Sequence, residues 1–299
     1  MKEIKSGFVT ILGRPNVGKS TLLNHFVGQK IAIMSDKAQT TRNKIQAVLT
    51  LDQAQIIFID TPGVHKPKHD LGNFMVNTAV EATKGVDLIL VVVNADEKMG
   101  PGDLRVIDYA RHSGLPVFLV INKIDLVHPD QLFEIIEGYR QVFDFKEIYP
   151  VSAMNGMNTE ALLQGIIEYL PMGPQYYPSD QITDHPEYFV ASEFIREKIL
   201  FFTREEIPHS VAVQVNRMRH NDDGEMEVEA TIIVERDSQK GIIIGKNGAL
   251  IKKIKKLARK DIENLLGEKV YLELWVKVQK DWRNRSNQLR DLGYRPEDY

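Results

Sequence analysis

Apolar positions fall in short runs rich in Val, Ile and Leu, at 8–12, 45–51, 55–60, 86–93, 117–121 and 148–151. Several runs are continuous rather than alternating, the pattern of strands buried on both faces of a sheet. Val48-Leu49-Thr50-Leu51 and Gln55-Ile56-Ile57-Phe58 are separated only by Asp52-Gln53-Ala54, which predicts an antiparallel hairpin. The other connections are long enough for crossover helices. The expectation is an α/β fold with a doubly wound, mostly parallel sheet and ligands at the carboxyl ends of its strands.

The pattern changes near Leu170. Pro171, Gly173, Pro174, Pro178, Ser179, Asp180, Asp184 and Pro186 give residues 171–190 the composition of a linker. Beyond it the spacing predicts a helix from Glu193 to Glu206. Strands follow at Val211–Val215 and Glu227–Val234, joined through Asn221-Asp222-Asp223-Gly224, then a long helix over 249–266 and a strand from Lys269 to Val278. The chain thus divides into a domain at 1–170, a linker at 171–190 and a smaller α+β domain at 191–299.

The chain has 299 residues, a net charge of −3 and no cysteine, so disulfides and thiol chemistry are excluded. That suits a reducing cytoplasm. Met1-Lys2-Glu3-Ile4-Lys5-Ser6 is charged and carries no signal-peptide core. The longest apolar run, Leu88–Val93, is too short to cross a membrane. Charge is uneven: residues 235–299 hold 16 Lys and Arg against 10 Asp and Glu, so the basic end can meet an anionic partner or simply be a solvated helix face.

Gly13-Arg14-Pro15-Asn16-Val17-Gly18-Lys19-Ser20 matches G-x-x-x-x-G-K-S/T, between a strand at Phe8–Leu12 and a helix from Thr21 to Phe26. Glycines let backbone N–H groups close on phosphates, and the helix N-terminus adds a favourable dipole. Lys19 is expected to reach the β- and γ-phosphates and Ser20 to ligate Mg²⁺. Asp60-Thr61-Pro62-Gly63 ends the strand Ile56–Ile59, placing Asp60 as second holder of Mg²⁺ and the Gly63 N–H at the γ-phosphate. Asn122-Lys123-Ile124-Asp125 ends the strand Val117–Ile121 and selects the base. The Asp125 carboxylate can accept from guanine N1–H and the 2-amino group, and adenine offers neither donor. Asn122 can bond base N7 and brace the phosphate loop, and the Lys123 stem can cover the ring. Ser152-Ala153 fits a loop offering a backbone N–H to guanine O6. The ligand is therefore read as GTP, with GDP after hydrolysis. Thr40-Thr41-Arg42 offers a threonine that ligates Mg²⁺ only while the γ-phosphate is present, Thr41 preferred and Thr40 the alternative.

Ile242-Ile243-Ile244-Gly245-Lys246-Asn247-Gly248 carries a G-x-x-G loop, of the type that clamps about four unpaired nucleotides. Lys246 and Asn247 sit between the glycines. Lys252, Lys253, Lys255, Lys256, Arg259 and Lys260 lie beyond, around a stripe of Ile251, Ile254, Ala258, Ile262 and Leu265. Trp282, among Lys280, Arg283 and Arg285, either stacks on a base or packs back on its own domain.

Residues 6–170 resemble the translation-factor-like GTPases, and the G-x-x-G module resembles a type II KH domain. Together, with Ile207-Pro208-His209-Ser210 and Asp281-Trp282-Arg283, the chain resembles the TrmE-Era-EngA-like GTPases that end in a KH domain. Where Ras-like members carry a water-orienting glutamine, this chain has Val64. The resemblance implies slow hydrolysis, with Lys19, Thr41, Gly63 and Asn16 as catalytic residues and Asn16 holding a K⁺ ion. It further implies binding near the 3′ end of 16S rRNA during 30S subunit maturation, by a cytoplasmic monomer with some peripheral association at the inner membrane face. Two rivals stand beside it. One is a signalling GTPase whose C-terminal domain binds protein or membrane. The other is an RNA-binding scaffold with a degenerate nucleotide site, against which Lys19, Ser20, Asp60 and Asp125 speak.

Overall fold

The computed structural model describes residues 4–37 and 39–295. Its first domain runs β1 (Ile4–Gly13), α1 (Lys19–Val27), β2 (Ile45–Thr50), β3 (Ala54–Asp60), α2 (Asp70–Glu81), β4 (Leu88–Asn94), α3 (Pro101–Ser113), β5 (Val117–Asn122), α4 (Pro129–Arg140), β6 (Glu147–Pro150) and α5 (Thr159–Tyr169). The strand order is β2-β3-β1-β4-β5-β6. The hairpin expected from Asp52-Gln53-Ala54 forms, β2 and β3 pairing antiparallel from Ile45↔Asp60 to Thr50↔Gln55. β1 pairs in parallel with both β3 and β4, and β4-β5-β6 continue in parallel.

The continuous apolar runs are continuous because the sheet is covered on both sides. Along β4, Leu88, Leu90 and Val92 enter one core, and Ile89, Val91 and Val93 enter the other. Phe118 and Val120 of β5 join the first, and Leu119 and Ile121 the second. Fully burying such a side chain contributes about 1.5–3 kcal/mol, so a strand with two buried faces gives roughly twice the return of a half-buried one.

The second domain comprises α6 (Glu187–Phe202), α7 (Ile207–Ser210), β8 (Ala212–His220), β9 (Met226–Val234), α8 (Asp237–Ile244), α9 (Ala249–Leu266), β10 (Val270–Val278) and α10 (Ser286–Asp291). Its sheet order is β10-β9-β8, with β9 and β10 parallel and β8 antiparallel to β9. Ile254, Ala258 and Ile262 of α9 are buried in its core, at the spacing read from the sequence.

Three elements differ from expectation. The first helix after the linker begins at Glu187, because Pro186 serves as its N-cap, and ends at Phe202; Ile207–Ser210 is a separate turn. β8 runs on to His220, five residues past the apolar stretch. Proline-rich composition concealed a seventh strand, β7 (Met172–Gly173), antiparallel to the start of β1. The rest of the linker lies on the first domain: Thr183 Oγ1 donates to Gln46 O at 2.6 Å, and the Gln55 side chain accepts from the N–H groups of Tyr176 and Tyr177. Among the described residues, no helix is long and apolar enough to cross a membrane.

Candidate functional site

β1 delivers the chain to the phosphate loop at Gly13, and α1 carries it away from Lys19. Asn16 and Gly18 both take positive φ, 66° and 94°, which turns successive backbone N–H groups to one side. Asn16 tolerates that conformation better than most residues. A Cβ on Gly18 would run into Asn122 Nδ2, so the loop requires glycine there. Gly63 presses against the other side of the loop; a Cβ on it would lie 2.6 Å from Pro15 N. Val64 N–H donates to Gly13 O at 3.0 Å, tying the two motifs backbone to backbone.

Lys19 is buried, and its ammonium donates to Arg14 O at 3.0 Å. Burial lowers its pKa to about 8, with the Asp60 carboxylate acting in the opposite sense. Asp60 is likewise fully buried, and burial raises its pKa against the pull of Lys19, Ser20 and Thr41. Ser20 Oγ donates to Asp60 Oδ2 at 2.6 Å, lies 3.0 Å from Thr41 Oγ1, and Thr41 Oγ1 donates to Asp60 Oδ2 at 3.3 Å. Three oxygens expected to ligate Mg²⁺ are thus assembled, and Asp60 Oδ1 is buried without a hydrogen-bond partner. A buried carboxylate oxygen left open beside two hydroxyls fits a hard divalent cation with its water shell. Thr40 does not join the cluster: its Oγ1 donates to Lys37 O at 2.6 Å. Of the two threonines offered by the sequence, Thr41 is the one whose hydroxyl lies against Asp60 and Ser20.

Asn122 braces the base end. Its Nδ2 donates to Val17 O at 2.8 Å, and its Oδ1 accepts from Ala153 N at 2.9 Å. Ser152 N–H is directed to Met157 O at 3.0 Å. Both backbone donors of Ser152-Ala153 therefore hold the loop together rather than pointing unused toward guanine O6. Lys123 stands at φ 64°, and Asp125 is exposed at the end of β5. Thr61 is buried with its hydroxyl on Ile11 O at 2.7 Å, and Pro62 is buried beside it. Thr21 stands in the first turn of α1.

Asn16 is exposed and donates through Nδ2 to Asp36 O at 2.8 Å, so it faces the loop that carries Thr41. Val64 is buried in the apolar core and does no polar work. The His65 ring donates from Nδ1 to Gly63 O at 2.8 Å and receives Gln39 at 3.3 Å, an occupied arrangement rather than that of a free base. Arg14, unremarkable in the sequence, leaves the phosphate loop to pair with the buried Asp103 at 2.7 Å and with Glu97 at 2.8 Å.

In the second domain, the G-x-x-G loop links α8 to α9 through Gly245 (φ 73°), Asn247 (φ 53°) and Gly248 (φ 75°). Lys246, Asn247, Lys252 and Lys253 are exposed. Of the isoleucines before the loop, Ile243 is buried in the core, while Ile242 is 53% exposed beside the loop. Lys253 lies over the Phe202 ring at 4.4 Å. Trp282 is fully buried, its indole N–H on Ser210 O at 2.9 Å, so of its two sequence readings the structure takes the inward one.

Sequence reasoning missed the contacts between domains. The Arg42 side chain is buried against Pro208, His209 and Val211. Arg196, paired with Glu193, donates to the Thr40 carbonyl. Lys30 and Lys198 together with Glu197 and Asp261 form a closed square of charges, with separations of 2.5–2.7 Å. Ile33 lies in the core of the second domain, and Leu71, Phe74 and Met75 of α2 pack against Ala212, Ile233, Trp282, Leu289 and Tyr294. No short-range spacing announces these pairings; the juxtaposition of Arg42 with Thr41 is the one available hint.

A family model described as a 50S ribosome-binding GTPase matches residues 8–123, and one described as a KH domain matches residues 206–283. Two solved structures each align at 42% identity and a TM-score of 0.94, over 97% of this chain and 99% of theirs. One is a point variant of Era from Aquifex aeolicus bound to GDP and aluminium fluoride; the other is Era in complex with MgGDPNP and nucleotides 1506–1542 of 16S ribosomal RNA. End-to-end agreement at that identity covers the phosphate loop, the base-selecting loop and the G-x-x-G loop alike, and the chain belongs to the Era family of GTPases.

Proposed function

We propose that the chain is a GTP-hydrolysing switch that binds single-stranded RNA at the 3′ end region of 16S rRNA and acts in assembly of the 30S subunit. The observation that carries this reading is the convergence of Ser20 and Thr41 on Asp60 Oδ2, with Asp60 Oδ1 buried and unpartnered. It occurs in a chain alignable end to end with a relative solved on both nucleotide and rRNA.

Ser20, Asp60 and, in the GTP state, Thr41 would hold the magnesium, which when bound neutralises charge on the β- and γ-phosphates. Lys19 supplies the second positive charge from a site so dry that its proton is already weakened. Arg14, Pro15, Val17 and Thr21 complete the cradle, Thr61-Pro62-Gly63 close it, and Asn122, Lys123 and Asp125 select the base. Val64 is apolar and buried, so it offers no polar group to orient the attacking water. Intrinsic turnover is accordingly slow, and Asn16 would hold a K⁺ ion that supplies part of the charge stabilisation. Gly245, Lys246, Asn247, Gly248, Lys252 and Lys253 clamp the RNA backbone.

The nucleotide controls RNA through Thr41 and Gly63. Support comes from α9, which starts at the G-x-x-G loop and, at Asp261, meets Lys30 beside the switch loop. Cytoplasmic location, a monomeric state and peripheral membrane association belong to the same proposal and rest on family resemblance alone. Binding of a short 16S 3′-end oligonucleotide is to be measured across salt with GTP, GDP and no nucleotide, alongside GTP turnover. Salt-sensitive binding that differs between nucleotide states is expected. Equal affinity in all three states refutes the coupling, and absent turnover refutes the enzyme.

A further inference from the structure

We propose that Arg42 is a positioning residue for hydrolysis: its guanidinium, seated in a socket of the KH domain, holds the adjacent Thr41 hydroxyl at the metal-ligand position. This rests on the reading of Ser20, Thr41 and Asp60 as magnesium ligands. It runs opposite to the coupling above, since here the docked KH domain makes the nucleotide site competent. Reciprocity of linkage requires both directions for binding, although not for kcat.

The socket is built for an arginine. Arg42 is 1% exposed. One terminal nitrogen donates to Val211 O at 2.6 Å and Tyr294 Oη at 3.4 Å, the other to Pro208 O at 3.0 Å and His209 O at 3.3 Å. The guanidinium carbon lies 5.8 Å from the centre of the Trp282 ring, and that ring stacks on Tyr294 at 6.0 Å. The three carbonyls, of Pro208, His209 and Val211, lie at the end of α7, where the helix itself leaves them unpaired. A planar fork meeting several carbonyls over an aromatic face is a task lysine cannot perform. With Arg42 withdrawn, the buried carbonyls of Pro208, His209 and Val211 would lose this donor, a cost that favours the seated state.

Seating Arg42 fixes Thr41 because no regular element holds the two residues in place. Among the described residues, 28–44 contain neither helix nor strand. On the other side of Thr41, the Thr40 carbonyl is held by Arg196, itself 1% exposed and paired with Glu193. The catalytic hydroxyl therefore hangs between two anchors, both in the KH domain. Holding it within reach of Asp60 removes conformational freedom that would otherwise be lost in each turnover.

The test is a double-mutant cycle in the full chain, reading GTP turnover, the Mg²⁺ concentration for half-maximal turnover, and GDP affinity. Arg42→Gln is expected to lower kcat at least tenfold and raise the Mg²⁺ requirement, with GDP affinity changed less than twofold; Arg42→Lys restores only part. In a Thr41→Ala background, Arg42→Gln is expected to add less than a twofold effect. An equal loss in both backgrounds, or unchanged kcat and Mg²⁺ dependence, overturns the proposal. Thr41→Ala retaining wild-type turnover and Mg²⁺ dependence sinks instead the metal-ligand reading beneath it. If thermal melts show Arg42→Gln unfolded, Arg196→Gln removes the other anchor and is read by the same criteria.

Discussion

Asn122 spans the nucleotide site: its amide nitrogen donates to Val17 O of the phosphate loop at 2.8 Å, while its oxygen receives Ala153 of the base-side loop. One side chain at the end of β5 therefore sets the distance between the two ends of the ligand. Losing one partner of a buried hydrogen bond costs about 1–3 kcal/mol. Asn122→Ala, which strips both, is expected to weaken GTP and GDP alike by about 10²-fold, measured by fluorescent-nucleotide titration. A loss confined to GTP would show that it acts on the γ-phosphate instead.

Base choice rests on Asp125. Asp125→Asn presents a donor where guanine also presents donors, and xanthine offers a matching acceptor. The expected result is GTP affinity down by about 10²-fold or more, with xanthosine nucleotides now preferred. Competition between the two nucleotides on the same variant reads the outcome directly.

Lys19 gives the site a pH dependence. Its pKa in the free protein is about 8, and bound phosphates raise it. Below pH 8 the lysine is protonated free and bound, so affinity is flat. Above pH 8 the free protein has lost a proton that the complex retains, and affinity falls by roughly tenfold per unit. Calorimetry in two buffers of different ionisation enthalpy should register proton uptake on binding at pH 9 and little at pH 7. For folding of the free protein the sign reverses. The folded pKa lies below the ordinary lysine value of 10.5, so stability rises with pH between about 8 and 10.5.

Asn16 reaches Asp36 O across the cleft, and under the proposed function it would hold a K⁺ ion. Turnover is expected to be several-fold faster in K⁺ than in Na⁺, with the difference lost in Asn16→Ala. Equal rates in the two salts for the unaltered protein remove the potassium proposal.

On the RNA side, a Cβ at Gly245 would come within 2.8 Å of Leu250 Cβ, and φ there is 73°. Gly245→Asp is expected to abolish RNA binding while leaving GTP affinity within about twofold. Lys246→Ala, free of that strain, should lower the slope of log affinity against log salt by about 1. A Lys246→Ala slope identical to that of the unaltered protein would place the phosphate contact elsewhere.

The nucleotide motifs were legible because each is a short run at the end of an apolar strand; Gly13–Ser20, Asp60–Gly63 and Asn122–Asp125 all lie where β1, β3 and β5 finish. The G-x-x-G loop was legible for the same local reason. What stayed hidden joins distant residues: Arg42 to Val211, Lys30 to Asp261, Arg14 to Asp103. Such pairs carry no period or spacing, and each partner alone looks like an ordinary surface charge. Trp282 needed the structure too, since an aromatic among cations suits a base and a core equally until its surroundings are known. β7 was hidden by the prolines on either side of it, Pro171 and Pro174, whose composition describes a linker even where two residues extend the sheet.

The proline-bearing segment after Leu170 invites a cut, yet Ile33, Leu71, Phe74 and Met75 are buried in clusters shared with the second domain. A nucleotide domain severed there would turn an oily flank to water on the very segments that sense the γ-phosphate. Its rates would describe a wounded surface rather than a component of the intact machine. On the proposal made for Arg42, the seam between the two folds would itself be part of the enzyme.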